Sequence, residues 1–326
     1  MAVIEQPSPA LEIASTYATM LVPVATGSET AGDVRRALFG RAFESAVDVA
    51  VCDGDRLLGL VTIEKLLAAP ANVTLDEIMD HSPPVVAPEV DQEQAAWRAA
   101  VRGESSLAIV DGEGRFRGLV PPHRLLGVLL AEHDEDMARL GGFLHDAASA
   151  RGASTERVPR RLWHRLPWLL IGLAGAMIAA AIVGAFEGEL EAQVTLAFFV
   201  PGIVYMADAV GTQTETLMIR GLSVGVPIGS VVRRELVTGL LIGTILAVTF
   251  FPFSWLAWGD ADVSMAVSLA LFGACSTATI VAMTLPWLFH RRGLDPAFGS
   301  GPLATVIQDL LSLVIYFTIA LLVVGT

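Results

Sequence analysis

The sequence predicts an α-helical membrane protein with five transmembrane helices behind an N-terminal soluble α/β domain. Three observations carry that reading. Hydrophobic residues make up 53% of the 326 residues and charged residues only 17%, with a mean hydropathy of +0.60, which lies on the membrane side of ordinary soluble composition. The apolar content is concentrated after Arg165, where long apolar runs follow one another. Before that point the chain reads as a soluble protein with an internal repeat.

The five expected spans are 166–186, 192–219, 232–251, 264–289 and 302–324, each near or above the ~20 residues that cross a bilayer core. Pro201, Gly202 and Gly211 in the second and Pro286 in the fourth are tolerated in such helices when neighbours re-satisfy the freed backbone groups. The opening "MAVIEQPSPALEIAS" has no basic stretch followed by an apolar one, so no cleavable leader is expected from it.

Basic residues orient the spans. Arg157, Arg160, Arg161 and Arg165 precede the first; Arg220 lies between the second and third, with Arg233 and Arg234 at the very start of the third; Arg291 and Arg292 lie between the fourth and fifth. The other two connections, "EGELE" and "PFSWLAWGDAD", hold acids and no Lys or Arg. The bias places the N-terminus in the cytoplasm and the C-terminus outside the cell (inner) membrane. Cys52 and Cys275 fall in different parts of the chain and are expected to be packing residues on a reduced face.

In the soluble part, "LLGLVTIEKLL" (57–67) matches "FRGLVPPHRLL" (116–126), and "VDVAVCDGDR" (47–56) matches "SSLAIVDGEGR" (105–115). Each copy reads as strand, Asp-Gly turn, strand, helix. This repeat resembles a tandem pair of cystathionine-β-synthase (CBS) motifs. Such pairs bind nucleotides or ions and pass the signal to an attached domain; a plain dimerisation platform is the alternative. The segment "AEHDEDMARLGG" after the second copy holds Glu132, Asp134, Glu135 and Asp136. It is either a solvated face or an acidic surface that divalent cations bridge. A net charge of −13 suits cations and argues against nucleic acid.

Asp309 stands inside the fifth span, about 10 Å along the helix from Pro302. A charge at a span centre costs roughly 2.5–3.5 kcal/mol even on the lenient scale. No lysine or arginine lies in the span cores, so Asp309 is protonated, faces water or binds a cation; a neutral Asp capping backbone is the structural alternative. The second span adds Asp208, Thr212, Gln213, Thr214 and Glu215. Asp208 and Thr212 share a face, as do Gly211 and Glu215. Gly211 and Ala209 permit close helix approach or a break that exposes carbonyls. Carboxylates, hydroxyls and carbonyls are hard oxygen ligands that suit Mg²⁺, and all six histidines lie outside the span cores.

On these residues the chain resembles the MgtE family of magnesium channels and transporters. "FEGELEAQVTLAFFVPGIVYMADAVGTQTETLMIRGLS" is similar to the family's pore helix and "RRELVTGLLIG" to the opening of its third span. "GLDPAFGSGPLATVIQDLLSLVIYF" resembles its last span, and "DEIMDHSPPVV" and "DEDMARLGG" its CBS and linking-helix segments. The resemblance implies a homodimer in the bilayer with a pore on the two-fold axis, lined by spans two and five. Thr305, Gly211, Gln213 and Glu215 are the implied lining. Asp309 falls on the family's pore aspartate and Asp295 on one at the cytoplasmic mouth. Glu135 and Asp136 fall on acidic positions of the linking helix, where Mg²⁺ holds the gate shut. Mg²⁺ is thus expected as substrate and regulator, with a nucleotide at the CBS pair a further expectation.

The implied domains are an N-terminal tail (1–19), the CBS pair (20–131), an acidic helix with basic residues before the membrane (132–165) and the pore domain (166–326). Two departures stand out. A superhelical acidic domain usually precedes the CBS pair, whereas barely 20 residues do here. The pore helix usually reads Gly-Gly-Asn where this chain has Ala207, Asp208 and Ala209, which is expected to add cation affinity and admit other divalents such as Mn²⁺ or Co²⁺. The remaining classes are weaker. An intramembrane zinc protease needs a His-Glu-x-x-His span, which is missing. A carrier would typically show inverted repeats. A non-conducting receptor has little use for buried unpaired carboxylates.

Overall fold

The computed structural model describes residues 13–140, 157–297 and 300–325. These fall into two units, one ending at His133 and one beginning at Asp134.

The first unit is the repeat folded twice. Strands β1 (Val24–Ala25), β2 (Asp48–Asp53) and β3 (Arg56–Thr62) form one sheet; β4 (Val85–Val86), β5 (Leu107–Val110) and β6 (Phe116–Val120) form the other. In each, the first pair is parallel and the second antiparallel, with a register shift at Val51/Cys52 in one copy and Ile109/Val110 in the other. Helices α1 (Ala31–Leu38), α2 (Ile63–Ala68), α3 (Leu75–Ile78) and α4 (Gln92–Arg102) start where short polar side chains can satisfy free amides. Thr30, Thr62 and Asp91 accept from Asp33 N, Lys65 N and Gln94 N, and Thr74 with Glu77 forms a capping box.

The copies lock together through matching positions. Leu60 bridges Asp80, and its counterpart Leu119 bridges Thr19. The glycine before each leucine is needed there: a Cβ at Gly118, whose φ is +133°, would lie 2.8 Å from the Thr19 carbonyl oxygen, and one at Gly59 would overlap the Asp80 carbonyl. Val22, Ala50, Cys52, Leu60, Ala108, Phe116 and Leu119 form the apolar cluster shared by the copies. Cys52 is a free, buried thiol that desolvation pushes up to about 11, in keeping with a packing role. At the centre, Ser106 Oγ donates to Asp48 Oδ2 at 2.5 Å, with both residues buried. Asp48 and Ser106 occupy equivalent places in the two copies.

Helix α5 (Pro122–Leu140) runs on from the second copy through the acidic stretch without a break. The boundary expected between 131 and 132 therefore falls inside one helix. Gln92 Nε2 donates to Glu132 on this helix.

The second unit contains α6 (Val158–Ala185), the short α7 (Glu187–Ala192), α8 (Thr195–Ser223), α9 (Ile228–Trp258), α10 (Ala261–Arg291) and α11 (Ser300–Val324). All but α7 are long and apolar enough to cross a membrane, as the sequence predicts. The first begins earlier than its apolar run, because the basic stretch "RRLWHR" is itself helical. Helix α10 is central and packs against α8, α9 and α11. Its Ala266, Ala270, Ala274, Ala278 and Ala282 recur every four residues and are at most 1% exposed. Such a stripe of small side chains lets neighbouring backbones approach where the hydrophobic effect gives no drive.

Helix α11 is held on two sides. A Cβ at Gly175 of α6 would lie 2.6 Å from Val306 Cγ1, so only glycine allows that approach. Toward α8, Tyr316 donates its hydroxyl to the Leu196 carbonyl at 2.6 Å, and at the junction of α6 and α7 Phe317 stacks on Phe186 at 4.5 Å. At the same end of the unit, Asp260 caps α10 through Asp262 N and Val263 N and accepts from Gln193 Nε2 at 2.7 Å.

Candidate cation site

The seam between α8 and α11 gathers most of the polar side chains that the sequence singles out. Helix α8 is continuous through Pro201 and Gly211. Of the two roles open to Gly211, close approach is the one found: a Cβ there would overlap the side-chain amide of Gln308 on α11. Gln308 is 2% exposed, so the two helices touch through this pair near mid-span.

One turn from Gln308, Thr305 donates its hydroxyl to Asp208 Oδ1 at 3.0 Å. This ties the α8 carboxylate to the face of α11 that also carries Asp309, four residues after Thr305. Asp309 is half-buried. Its carboxylate and that of Glu215 both lie within electrostatic range of Asp208. No ion pair to Asp208, Asp309 or Glu215 occurs among the described residues. The seam therefore concentrates negative charge without a basic partner.

The other expected site residues divide by place. Gln213 and Thr212 lie on the exposed side of α8, whereas Gly211 and Glu215 lie inside the seam within the single chain. Glu215 is 4% exposed, and its neighbour Thr214 donates to Glu235 Oε2 of α9 at 3.2 Å. Asp295 follows α10, is 9% exposed and accepts from Ala297 N at 2.7 Å. Glu135 and Asp136 are half-buried residues of α5.

Among the described residues, no three His, Cys, Asp or Glu side chains converge within one chain as a metal-binding group. A single copy thus offers Asp309 and Asp208 with neutral oxygens rather than a closed cage. Gln308 is a seam residue that reading the sequence misses, although an amide beside Asp309 in an apolar run was a signal for it.

Comparisons with known proteins bear on the family of the chain. Residues 200–319 match the family model MgtE, described as a divalent cation transporter, and residues 75–131 match that of the CBS domain. The chain is 33% identical over 271 residues to the magnesium transporter MgtE of Thermus thermophilus, covering 81% of this chain and 59% of that protein. It is 32% identical over 235 residues to the one of Bacillus subtilis, covering 71% and 51%. The chain thus spans between about half and three fifths of the length of these curated relatives. Among solved structures, the cytosolic domain of the Mg²⁺ channel MgtE in complex with ATP is 28% identical over 36% of this chain and 50% of that one, with a TM-score of 0.35. With the family model on its membrane spans and two relatives above 30% identity across both units, the chain belongs to the MgtE family of divalent cation transporters.

Proposed function

We propose that the chain carries Mg²⁺ across the cell (inner) membrane as a homodimer, with its pore on the two-fold axis between α8 and α11 of the two copies. The observation that carries this reading is the Thr305–Asp208 hydrogen bond, which sets a second carboxylate beside Asp309 with no basic partner. A hydrated Mg²⁺ offsets that charge, and two copies of Asp309 facing one another supply ligands that one chain lacks. Mg²⁺ keeps several of its waters, so carboxylates that accept hydrogen bonds from those waters suffice. Thr305 and Gln213 belong to the pore surface, and Gly211 and Glu215 back it from within the seam. Asp295 stands at the cytoplasmic mouth. The N-terminus is cytoplasmic and the C-terminus outside, following the arginine bias.

The CBS pair and the acidic part of α5, with Glu135 and Asp136, form the regulatory part. Mg²⁺ bridging these carboxylates favours the closed pore, and a nucleotide is the second regulatory ligand that the family resemblance implies. Asp208 favours a wider choice of ion. An extra carboxylate at the pore raises affinity for any hard divalent, so Mn²⁺ and Co²⁺ are carried alongside Mg²⁺.

The test is divalent flux into proteoliposomes containing the full chain, with Mg²⁺, Mn²⁺, Co²⁺ and Ca²⁺ offered in turn at low internal Mg²⁺. Asp309→Ala is expected to lower flux more than tenfold, as loss of roughly 2 kcal/mol or more of ion stabilisation requires. Asp208→Gly is expected to shift the ranking toward Mg²⁺; an unchanged ranking removes Asp208 from the selectivity argument. Wild-type protein that passes none of the four ions would favour a non-conducting receptor.

A further inference from the structure

Glu215 presents a different problem from Asp309. It is 4% exposed within a single chain, and its Oε1 makes no hydrogen bond. Ser300, at the start of α11, is 0% exposed, and its Oγ lies within reach of the Glu215 carboxylate without closing a well-aligned hydrogen bond to it. Gln308 Oε1 is the second orphan of the seam; its amide presses on Gly211, one helical turn, about 5 Å, from Glu215. Native proteins leave few buried polar atoms unpaired, and those left open mark waters or ions. Two buried acceptor oxygens, Glu215 Oε1 and Gln308 Oε1, thus lack a donor on this seam, and the Ser300 hydroxyl stands beside the first.

Charge narrows the choice. The Glu215 carboxylate has no ion pair among the described residues. The N-terminus of α11 supplies roughly half a positive charge, which leaves the carboxylate undercompensated. One carboxylate among neutral oxygens balances a single positive charge. Mg²⁺ demands near-octahedral geometry and gives up its waters reluctantly, so a closely packed pocket suits it badly. A small monovalent cation coordinated by carboxylate, hydroxyl and carbonyl oxygens fits better.

We infer that each chain holds a Na⁺ site in the α8–α11 seam between Glu215 and Ser300, off the proposed pore axis and separate from Asp309. Bound Na⁺ clamps α8 to the first turn of α11. It thereby fixes the register that pairs Thr305 with Asp208. The site stands independently of divalent conduction, since it uses neither Asp309 nor a second copy.

The experiment is thermal unfolding of the purified full chain in detergent with EDTA, comparing NaCl, KCl and choline chloride at equal ionic strength and fixed pH. Wild type is expected to melt about 5 °C higher in saturating Na⁺ than in choline, along a saturable curve. Glu215→Gln is expected to lose the Na⁺ response, and Ser300→Ala to shift its midpoint at least about threefold to higher Na⁺. Asp309→Ala keeps the response, so a failure of the flux reading and a failure of this one are told apart. Three results would overturn the inference: equal melting of wild type in Na⁺ and choline, a full Na⁺ response in Glu215→Gln, or stabilisation only by acid and equally in both salts, which would assign the seam to a proton. The wild-type salt series decides the matter even if Glu215→Gln fails to fold.

Discussion

Among the described residues, two carboxylate–serine pairs are buried, and they are built to opposite standards. In the soluble unit, Ser106 Oγ donates to Asp48 at 2.5 Å. In the membrane unit, the Ser300 hydroxyl lies beside the Glu215 carboxylate without closing a well-aligned hydrogen bond to it. The first is a closed contact that joins two copies of a repeat. The second is an open one at the seam of two spans. Burial alone therefore does not separate architecture from function here; satisfaction of the polar atoms does.

The comparison can be broken at several points. The largest structural effect is expected from Gly211→Ala, whose Cβ meets the buried Gln308 amide. Overpacking there should cost about 2–3 kcal/mol in thermal unfolding, and adding Gln308→Ala should recover most of it, giving a clear coupling in the double-mutant cycle. Ser106→Ala comes next. It leaves the buried Asp48 carboxylate without its donor, at a cost of about 1–3 kcal/mol, read as faster amide exchange in β2 and β5. Tyr316→Phe removes the hydroxyl that reaches Leu196 and should cost about 1 kcal/mol. Ser300→Ala is the smallest, within about 0.5 kcal/mol in Na⁺-free buffer, because its hydroxyl makes no well-aligned bond to lose. Equal costs for Ser300→Ala and Ser106→Ala would erase the distinction.

The closed pair also has a pH signature. Burial holds the Asp48 carboxyl above its ordinary 3.8; the Ser106 bond works against this, and Glu104 and Glu64 add to it. The native state therefore keeps this proton to higher pH than the unfolded chain. Its contribution is most favourable below 3.8 and falls as pH rises through the raised native value. Asp48→Asn should flatten that part of the stability–pH curve and raise stability at neutral pH. A curve unchanged by the substitution would mean that other groups set the dependence.

The sequence makes visible whatever is local or periodic. Five apolar runs announce five helices, and two Asp-Gly turns flanked by apolar strands announce the repeat. Helix α6 starts ahead of its apolar run because arginine is a good helix former but lowers the hydropathy that marks a span. The boundary expected at 131/132 falls inside α5 because a change from apolar to acidic composition is not a change of backbone conformation. Asp208 and Thr305 are 97 positions apart, and spacing within one helix cannot name a partner on another. Spacing does place Gly211 and Glu215 on one face. That this face turns toward Gln308 and Ser300, rather than outward with Gln213, depends on how five helices pack.

One further consequence follows from the close contact between Gly175 and Val306. Helix α6 is a lever. Its basic end, from Arg160 to Arg165, and its apolar length are parts of one helix, pinned against α11 some 25 Å from Val158 at 1.5 Å per residue. The fulcrum is Val306, beside Thr305 and less than one turn from Asp309. Pro167 interrupts the backbone hydrogen bonding of the long arm, which gives the lever an elbow.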